Sequence, residues 1–149
     1  ARIAEKKLLD QPNGAGLART GVTFKAYSLS AGQGTPVTRF FAYKAGEFST
    51  HFYLTIPSEI ATVGAQPWAT NEGIDMYFTV PDVFTIVGRG QVRVCPANTK
   101  NIWRVFKQKA NPAAAVTDPN HRYVDTEAAL AEMVSRGYTD EGIVFCGRL

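Results

Sequence analysis

An internal repeat constrains this chain more than any other feature of its sequence. Residues 37–77 and 102–146 present the same elements in one order: Arg-aromatic, His-x-Tyr, a helix-like stretch, an aromatic residue and Glu-Gly-Ile. The matched residues are Arg39 and Arg104, His51 and His121, Tyr53 and Tyr123, Trp68 and Tyr138, and Glu72-Gly73-Ile74 and Glu141-Gly142-Ile143. Agreement in so many unlike residue types is not expected by chance. We therefore interpret the two segments as copies of one folding unit.

A partial third copy is predicted at the start of the chain. Ile3 to Leu9 resembles the helix-like stretch, and Thr20 to Phe24 resembles the Glu-Gly-Ile block, but no Arg-aromatic or His-x-Tyr element precedes them. The chain is therefore expected to begin inside a first unit. This interpretation divides a single domain, residues 1–149, into units at about 1–28, 29–92 and 93–149.

The local patterns within each unit predict short strands and one short helix. Strands are predicted at residues 37–41, 51–55, 102–106 and 121–124, with another after each Glu-Gly turn, and helices at residues 57–63 and 126–135. The turn-rich residues 28–34 and 87–90 are predicted to join the units. The expected fold is mostly β with short helices. Three units about a pseudo-threefold axis would form a β-trefoil-like barrel with its first repeat incomplete, whereas an open array of sheets has the same spacing.

Composition and charge limit the classes of partner. The 149 residues are 45% hydrophobic and 11% aromatic, enough for a packed core. The net charge is only +3 and the basic residues are scattered, so a nucleic-acid partner is not expected. No apolar run approaches the roughly 20 residues of a membrane-spanning helix. A membrane span is therefore not expected either.

The motifs of common enzymes and metal sites are missing from the sequence. It contains no Gly-x-Ser-x-Gly elbow, no phosphate-binding loop followed by Gly-Lys-Ser/Thr, and no repeated carboxylate pair. Its two histidines and two cysteines lack metal-ligand spacing. The chain is accordingly predicted to be non-enzymatic, without a cofactor or metal.

Several motifs resemble the repeat of a known bacterial extracellular family, which is a domain of unknown function. They are Cys95-Pro96-Ala97-Asn98-Thr99, Trp103-Arg104-Val105-Phe106, His121-Arg122-Tyr123 and Glu141-Gly142-Ile143-Val144-Phe145-Cys146. The family's unit has the pattern Tyr-Arg-aromatic, His-Phe-Tyr-Thr, Gly-Trp, Glu-Gly-Ile-Ala-Phe. The resemblance covers residues 37–149 well and residues 1–28 weakly. It implies three β-trefoil-like units, often attached to secreted hydrolases or surface proteins.

The cysteines fit that picture, since Cys95 opens the last unit and Cys146 closes it. If the unit folds back on itself, its ends meet and a disulfide joins them. Such a bond persists in an oxidising compartment, which agrees with an extracellular location. The alternative is a pair of buried free thiols.

The repeated polar residues admit a structural and a binding interpretation. His51 and His121 either pack beneath a strand and bond a carbonyl or carboxylate, or contact a ligand. Arg39 and Arg104 either form ion pairs with the glutamates of the Glu-Gly-Ile blocks or hydrogen-bond a ligand.

The aromatic residues carry the functional prediction. Tyr53 and Tyr123 are either core residues or faces on which sugar rings stack, while Trp68 and Tyr138, which follow a helix, are expected in the core. In the binding interpretation each repeat carries one weak site, and several sites together raise the avidity. The predicted function is a secreted, lectin-like module for a glycan or cell-surface polysaccharide. The alternative is a structural or adhesive domain that binds a protein, including further copies of itself.

Overall fold

The computed structural model describes residues 23–45, 47–88, 90–108 and 119–149. Most of the predicted first unit, residues 1–28, lies outside this part of the chain. The strands are β1 (Thr35–Lys44), β2 (Phe48–Leu54), β3 (Ala69–Phe78), β4 (Asp82–Ile86), β5 (Gly90–Val94), β6 (Thr99–Lys107), β7 (Asn120–Val124) and β8 (Thr139–Arg148). The helices are α1 (Pro57–Gly64) and α2 (Glu127–Ser135), with a 3-10 turn at Leu29–Ala31. The protein is mostly β with short helices, as predicted.

Two three-stranded antiparallel sheets share one topology. The strand orders are β2-β1-β3 and β7-β6-β8, and in each sheet the helix connects the second strand to the third. The cross-strand pairs also match, because Arg39 lies opposite Tyr53 and Arg104 lies opposite Tyr123. We call these the middle and last units.

A two-stranded hairpin, β4-β5, separates the two sheets. The sequence predicts a join between units at residues 87–90. In the structure β4 ends at Ile86 and β5 begins at Gly90, so the predicted join lies inside the β4-β5 hairpin and not between units. The sequence pattern did not predict these two strands, because Val83, Phe84 and Ile86 do not alternate with polar residues. All three are exposed in the structure.

Proline, threonine and glycine residues mark the ends of the two helices. Pro57 occupies the first turn of α1, where its missing N–H has no intrahelical partner to lose. The Thr126 hydroxyl accepts a hydrogen bond from the Ala129 N–H at 3.1 Å and caps α2. Gly137, with a φ of +82°, follows α2 and turns the chain into β8.

The repeated Glu-Gly pair forms a β-bulge in each unit. Between β1 and β3, Glu72 and Gly73 together stand opposite the single residue Arg39. Between β6 and β8, residues 141–142 stand opposite Arg104 in the same way. The glycine of each bulge has a φ of +85°, a conformation that side chains with a Cβ rarely adopt. The bulge explains why the pair recurs: it bends the strand and brings a glutamate against the arginine.

Three apolar clusters form the core. One lies between the two sheets, and the other two lie between each sheet and its own helix. The first cluster contains Val37, Phe78, Ile102, Val144 and Phe145. Cys95 and Cys146 form a disulfide beside it, with a Cα–Cα distance of 5.5 Å. The bond joins the segment that follows β5 to the buried part of β8.

Candidate functional site

Each unit holds an arginine–glutamate ion pair at its bulge. Arg39 Nε lies 2.9 Å from Glu72 Oε2, and Arg104 Nε lies 2.7 Å from Glu141 Oε2. Both arginine side chains are largely buried, with exposed fractions of 6% and 11%. Burying a guanidinium is costly unless a carboxylate compensates its charge, and the bulge supplies that carboxylate. These contacts are the ones expected in the structural interpretation of the arginines.

The repeated histidines lie beside these ion pairs. His51 Nε2 is 2.8 Å from Arg39 Nη2 and 3.3 Å from Glu72 Oε2. His121 Nε2 is 3.5 Å from Glu141 Oε2. Each histidine ring also contacts a phenylalanine of the neighbouring strand, Phe41 or Phe106. Arginine, glutamate and histidine thus form a cluster in both units.

The cluster of the last unit extends into the middle unit. Arg104 Nη1 and Nη2 each donate to one carboxylate oxygen of Glu59 on α1, both at 3.2 Å. Burial alone would lower the pKa of Arg104, but its bonds to Glu59 and Glu141 outweigh burial and raise that pKa. Arg104 is therefore a charged link between the two units.

His121 is neutral in this setting. Burial, reinforced by the positive charge of Arg104, lowers the pKa of His121 to about 4, and Glu59 only partly opposes the shift. The ring stacks on Phe52 of the middle unit, with centroids 5.4 Å apart. The neutral imidazole packs between units and can still donate or accept a hydrogen bond.

The two repeated tyrosines also join the units. The Tyr123 hydroxyl accepts from the Tyr53 N–H at 3.1 Å and donates to the Tyr53 carbonyl at 3.2 Å. Their rings meet edge to face at 5.9 Å, and both pack against the central apolar cluster. Burial raises the pKa of Tyr123. These contacts favour the core interpretation of the tyrosine pair over that of an open sugar platform.

A cavity of about 620 Å³ lies where the middle unit meets the last unit. Its aromatic walls are Phe48, Phe52, Trp68 and Phe106, and its polar lining includes Lys44, Glu47, Thr50, Ser58, Glu59, Thr62, Arg104, Gln108 and His121. A smaller cavity of about 210 Å³ adjoins it and shares Glu59 and Arg104 with it.

Only three of the six residues predicted to bind ligand line at least one of the two cavities. Arg104 and His121 line the larger cavity, and Tyr53 and Arg104 line the smaller one. Arg39, His51 and Tyr123 are not among the lining residues of either cavity. Matched repeat positions therefore do not occupy matched sites within the described residues.

Glu59 is the main site residue that the sequence interpretation missed. It stands in the first turn of α1, where acidic residues are common for helical reasons alone. The corresponding turn of α2 offers no matching acid at that position, since Ala129 stands there. The repeat comparison therefore gave no signal for it.

Two further findings concern the part of the chain that the structure describes. No group of three or more His, Cys, Asp or Glu side chains is arranged to hold a metal ion there. Neither helix in that part is long and apolar enough to cross a membrane.

Comparison with known proteins identifies one family. No curated protein and no solved structure matches the chain. A family model described as a domain of unknown function, DUF5648, matches residues 4–79, which is slightly more than half of the 149 residues. The match includes the Arg39, His51 and Glu72 cluster of the middle unit. The chain belongs to the DUF5648 family.

Proposed function

We propose that the protein is a secreted, non-enzymatic carbohydrate-binding module that recognises a glycan in the cavity between the middle and last units. One observation carries this proposal: a cavity of about 620 Å³ with aromatic walls and a cluster of polar groups. That volume is within the range of small-molecule sites in proteins, roughly 300–1,000 Å³. The disulfide supports the oxidising, extracellular location.

The aromatic walls suit the apolar faces of sugar rings. Trp68 is half-buried and held by an edge-on contact with Phe48, whose ring centroid lies 5.8 Å away. An indole fixed in this way loses little conformational freedom on binding. Trp68, rather than Tyr53 or Tyr123, is the ring that we expect to stack on a sugar.

The polar groups suit sugar hydroxyls. Both carboxylate oxygens of Glu59 bond Arg104 and keep further lone pairs for donors from a ligand. Neutral His121 and the amide of Gln108 can each donate or accept. Specificity would arise because a ligand without matching hydroxyls leaves these groups unpaired.

We propose one glycan site for the two units, and not one site in each repeat. The sequence interpretation expects one weak site in each repeat. The cavity uses α1 and β2 of the middle unit together with β6 and β7 of the last unit, so we place one site between two units.

A glycan array followed by calorimetric titration of the hits tests the proposal. Thr62 is exposed on α1 and lines the cavity, so Thr62→Trp should fill the cavity without removing a core contact and should abolish binding. Trp68→Ala should weaken binding by at least about tenfold, the loss of one good stacking contact. Tyr43→Ala removes an exposed aromatic outside the cavity and serves as the matched control. A folded protein that binds no glycan would refute the proposal.

The second candidate function is protein interaction, and the β4-β5 hairpin favours it. One face of the hairpin carries Phe84, Ile86 and Val94, each exposed by more than 40% of its surface. A contiguous exposed apolar patch is a common mark of a protein contact. We expect the partner to be a second copy of the chain that pairs hairpin to hairpin. Light scattering should then show a dimer that Phe84→Ser converts to a monomer, whereas a monomeric wild-type protein would exclude self-association.

We also infer a pseudo-threefold, β-trefoil-like arrangement of the repeats. One contact between the middle and last units joins unlike elements, because Glu59 on α1 bonds Arg104 on β6. Such a head-to-tail contact between repeats closes into a ring when the rotation between units divides a full turn. An experimental structure with the units in an open row would contradict this inference.

A further inference from the structure

We infer that the cavity selects neutral glycans and discriminates against their uronic acid counterparts. This inference rests on the proposed function, which it refines by naming the ligand class. It derives from how the charged residues around the cavity are paired, and not from their number alone.

Arg104 is the only buried cation among the described residues that line the larger cavity. Its guanidinium is engaged by two carboxylates, with Glu59 at Nη1 and Nη2 and Glu141 at Nε. Three of the five guanidinium N–H groups therefore already donate to protein carboxylates. The charge of Arg104 is already compensated by Glu59 and Glu141, so a ligand carboxylate would have to compete with both of them for this cation.

The cation at the edge of the cavity is also compensated. Lys44 Nζ lies 2.6 Å from Glu47 Oε1, and both residues line the cavity. This pair is partly exposed and weak, so it contributes little attraction for an anion. The described lining thus pairs each cation with an acid.

The larger cavity offers no uncompensated positive charge, because its lining sets Lys44 and Arg104 against Glu47 and Glu59. Arg104 supplies one positive charge, while Glu59 and Glu141 supply two negative charges. His121 does not change this sum near neutral pH, because burial lowers its pKa to about 4. A carboxylate brought against Glu59 would meet like charge in a partly desolvated space, which is unfavourable.

Neutral sugar hydroxyls meet no such penalty. A carboxylate held by an arginine presents lone pairs that accept from hydroxyl groups, and the aromatic walls accept either kind of ring. The expected difference in affinity between neutral and acidic glycans therefore comes from the charge of the ligand. The discrimination should be on the order of tenfold or more in Kd, since one repulsive pair at partial burial has an effect of that size.

Matched ligand pairs test the inference. Each neutral hexose oligosaccharide that binds on the array is oxidised at its primary hydroxyls to the uronic acid form, and both are titrated calorimetrically. Oligogalacturonate and its methyl ester form a second pair with one backbone. The neutral member should bind at least about tenfold more tightly, and the difference should shrink as salt is added.

Variants connect the selectivity to Glu59. Glu59→Gln removes one negative charge and keeps a hydrogen-bonding amide, so it should bring the Kd values for the acid and neutral members closer together. Glu132→Gln makes the same change in charge on the exposed part of α2, outside the cavity lining, and should leave the ratio unchanged.

The titrations distinguish a failure of glycan binding from a failure of the selectivity for neutral glycans. If no glycan binds to folded protein, the proposed function fails and the inference fails with it. If glycans bind at the cavity but acid members bind as tightly as neutral ones, the proposed function stands and the inference is overturned. The inference is likewise overturned if Glu59→Gln and Glu132→Gln change the ratio equally.

Discussion

Replacing His121 with phenylalanine should remove a specific part of the protein's sensitivity to acid. The ring of His121 lies between Phe52 and Phe106, so a phenylalanine of similar shape can take its place. In the folded protein burial lowers the pKa of His121 from 6.5 to about 4. As the pH falls, the unfolded chain therefore takes up this proton before the folded chain does.

The sign and size of the effect follow from this difference. His121 contributes its full share of stability above about pH 6.5, and that share is lost progressively as the pH falls towards 4. At about 1.4 kcal/mol per pH unit, the total loss is on the order of 3 kcal/mol. The His121 side chain is only 19% exposed, so solvent screening does not remove the effect.

The loss of stability is measured by chemical unfolding of wild-type and His121→Phe protein at several pH values between 7.5 and 4. The wild type should lose about 3 kcal/mol more than the variant over this interval, because carboxylate titration is common to both. Equal losses in wild type and His121→Phe, or an NMR titration of His121 close to 6.5 in the folded protein, would refute the reasoning.

Three further changes test the contacts that hold the units together. Replacing Cys95 and Cys146 together by alanine opens a loop with a sequence separation of 51 and should lower the free energy of unfolding by about 4 kcal/mol. Tyr123→Phe removes the hydroxyl that bonds the Tyr53 N–H and carbonyl and should cost about 1–3 kcal/mol in urea unfolding. Gly34→Ala should lower the melting temperature well beyond Gly32→Ala, because only its Cβ would lie 2.8 Å from a backbone oxygen, that of Phe78.

The controls for these changes differ. Reducing the wild-type disulfide should reproduce the loss seen in the double alanine variant, and a reduced protein of unchanged stability would contradict the loop argument. An unchanged unfolding midpoint in Tyr123→Phe would show that water satisfies the Tyr53 backbone. Equal losses in the two glycine variants would contradict the steric argument. Backbone strain alone would then explain both losses, since both glycines have positive φ.

The sequence alone determined the contents of each unit. The β-branched and aromatic runs predicted strands where β1, β2, β6 and β7 form, and the cap at Thr126 marks the start of α2. The repeated Glu-Gly pair predicted a glycine turn before a strand, whereas in the structure the pair is a bulge within β3 and β8. The ion pairs Arg39–Glu72 and Arg104–Glu141 were one of the two interpretations weighed. These features depend on periodicity and on cross-strand neighbours, both of which are local and recur with the repeat.

Only the tertiary structure decided which faces of the units meet. The bond from Arg104 to Glu59 spans 45 positions and that from Tyr123 to Tyr53 spans 70, and neither is encoded by a periodic pattern. The interface between the two units gives equivalent residues unequal surroundings, so His121 lines the cavity and the matched His51 does not. A repeat in sequence fixes the fold of each copy, but a site between copies depends on the interface they form, because the energy of that interface comes from surfaces distant along the chain.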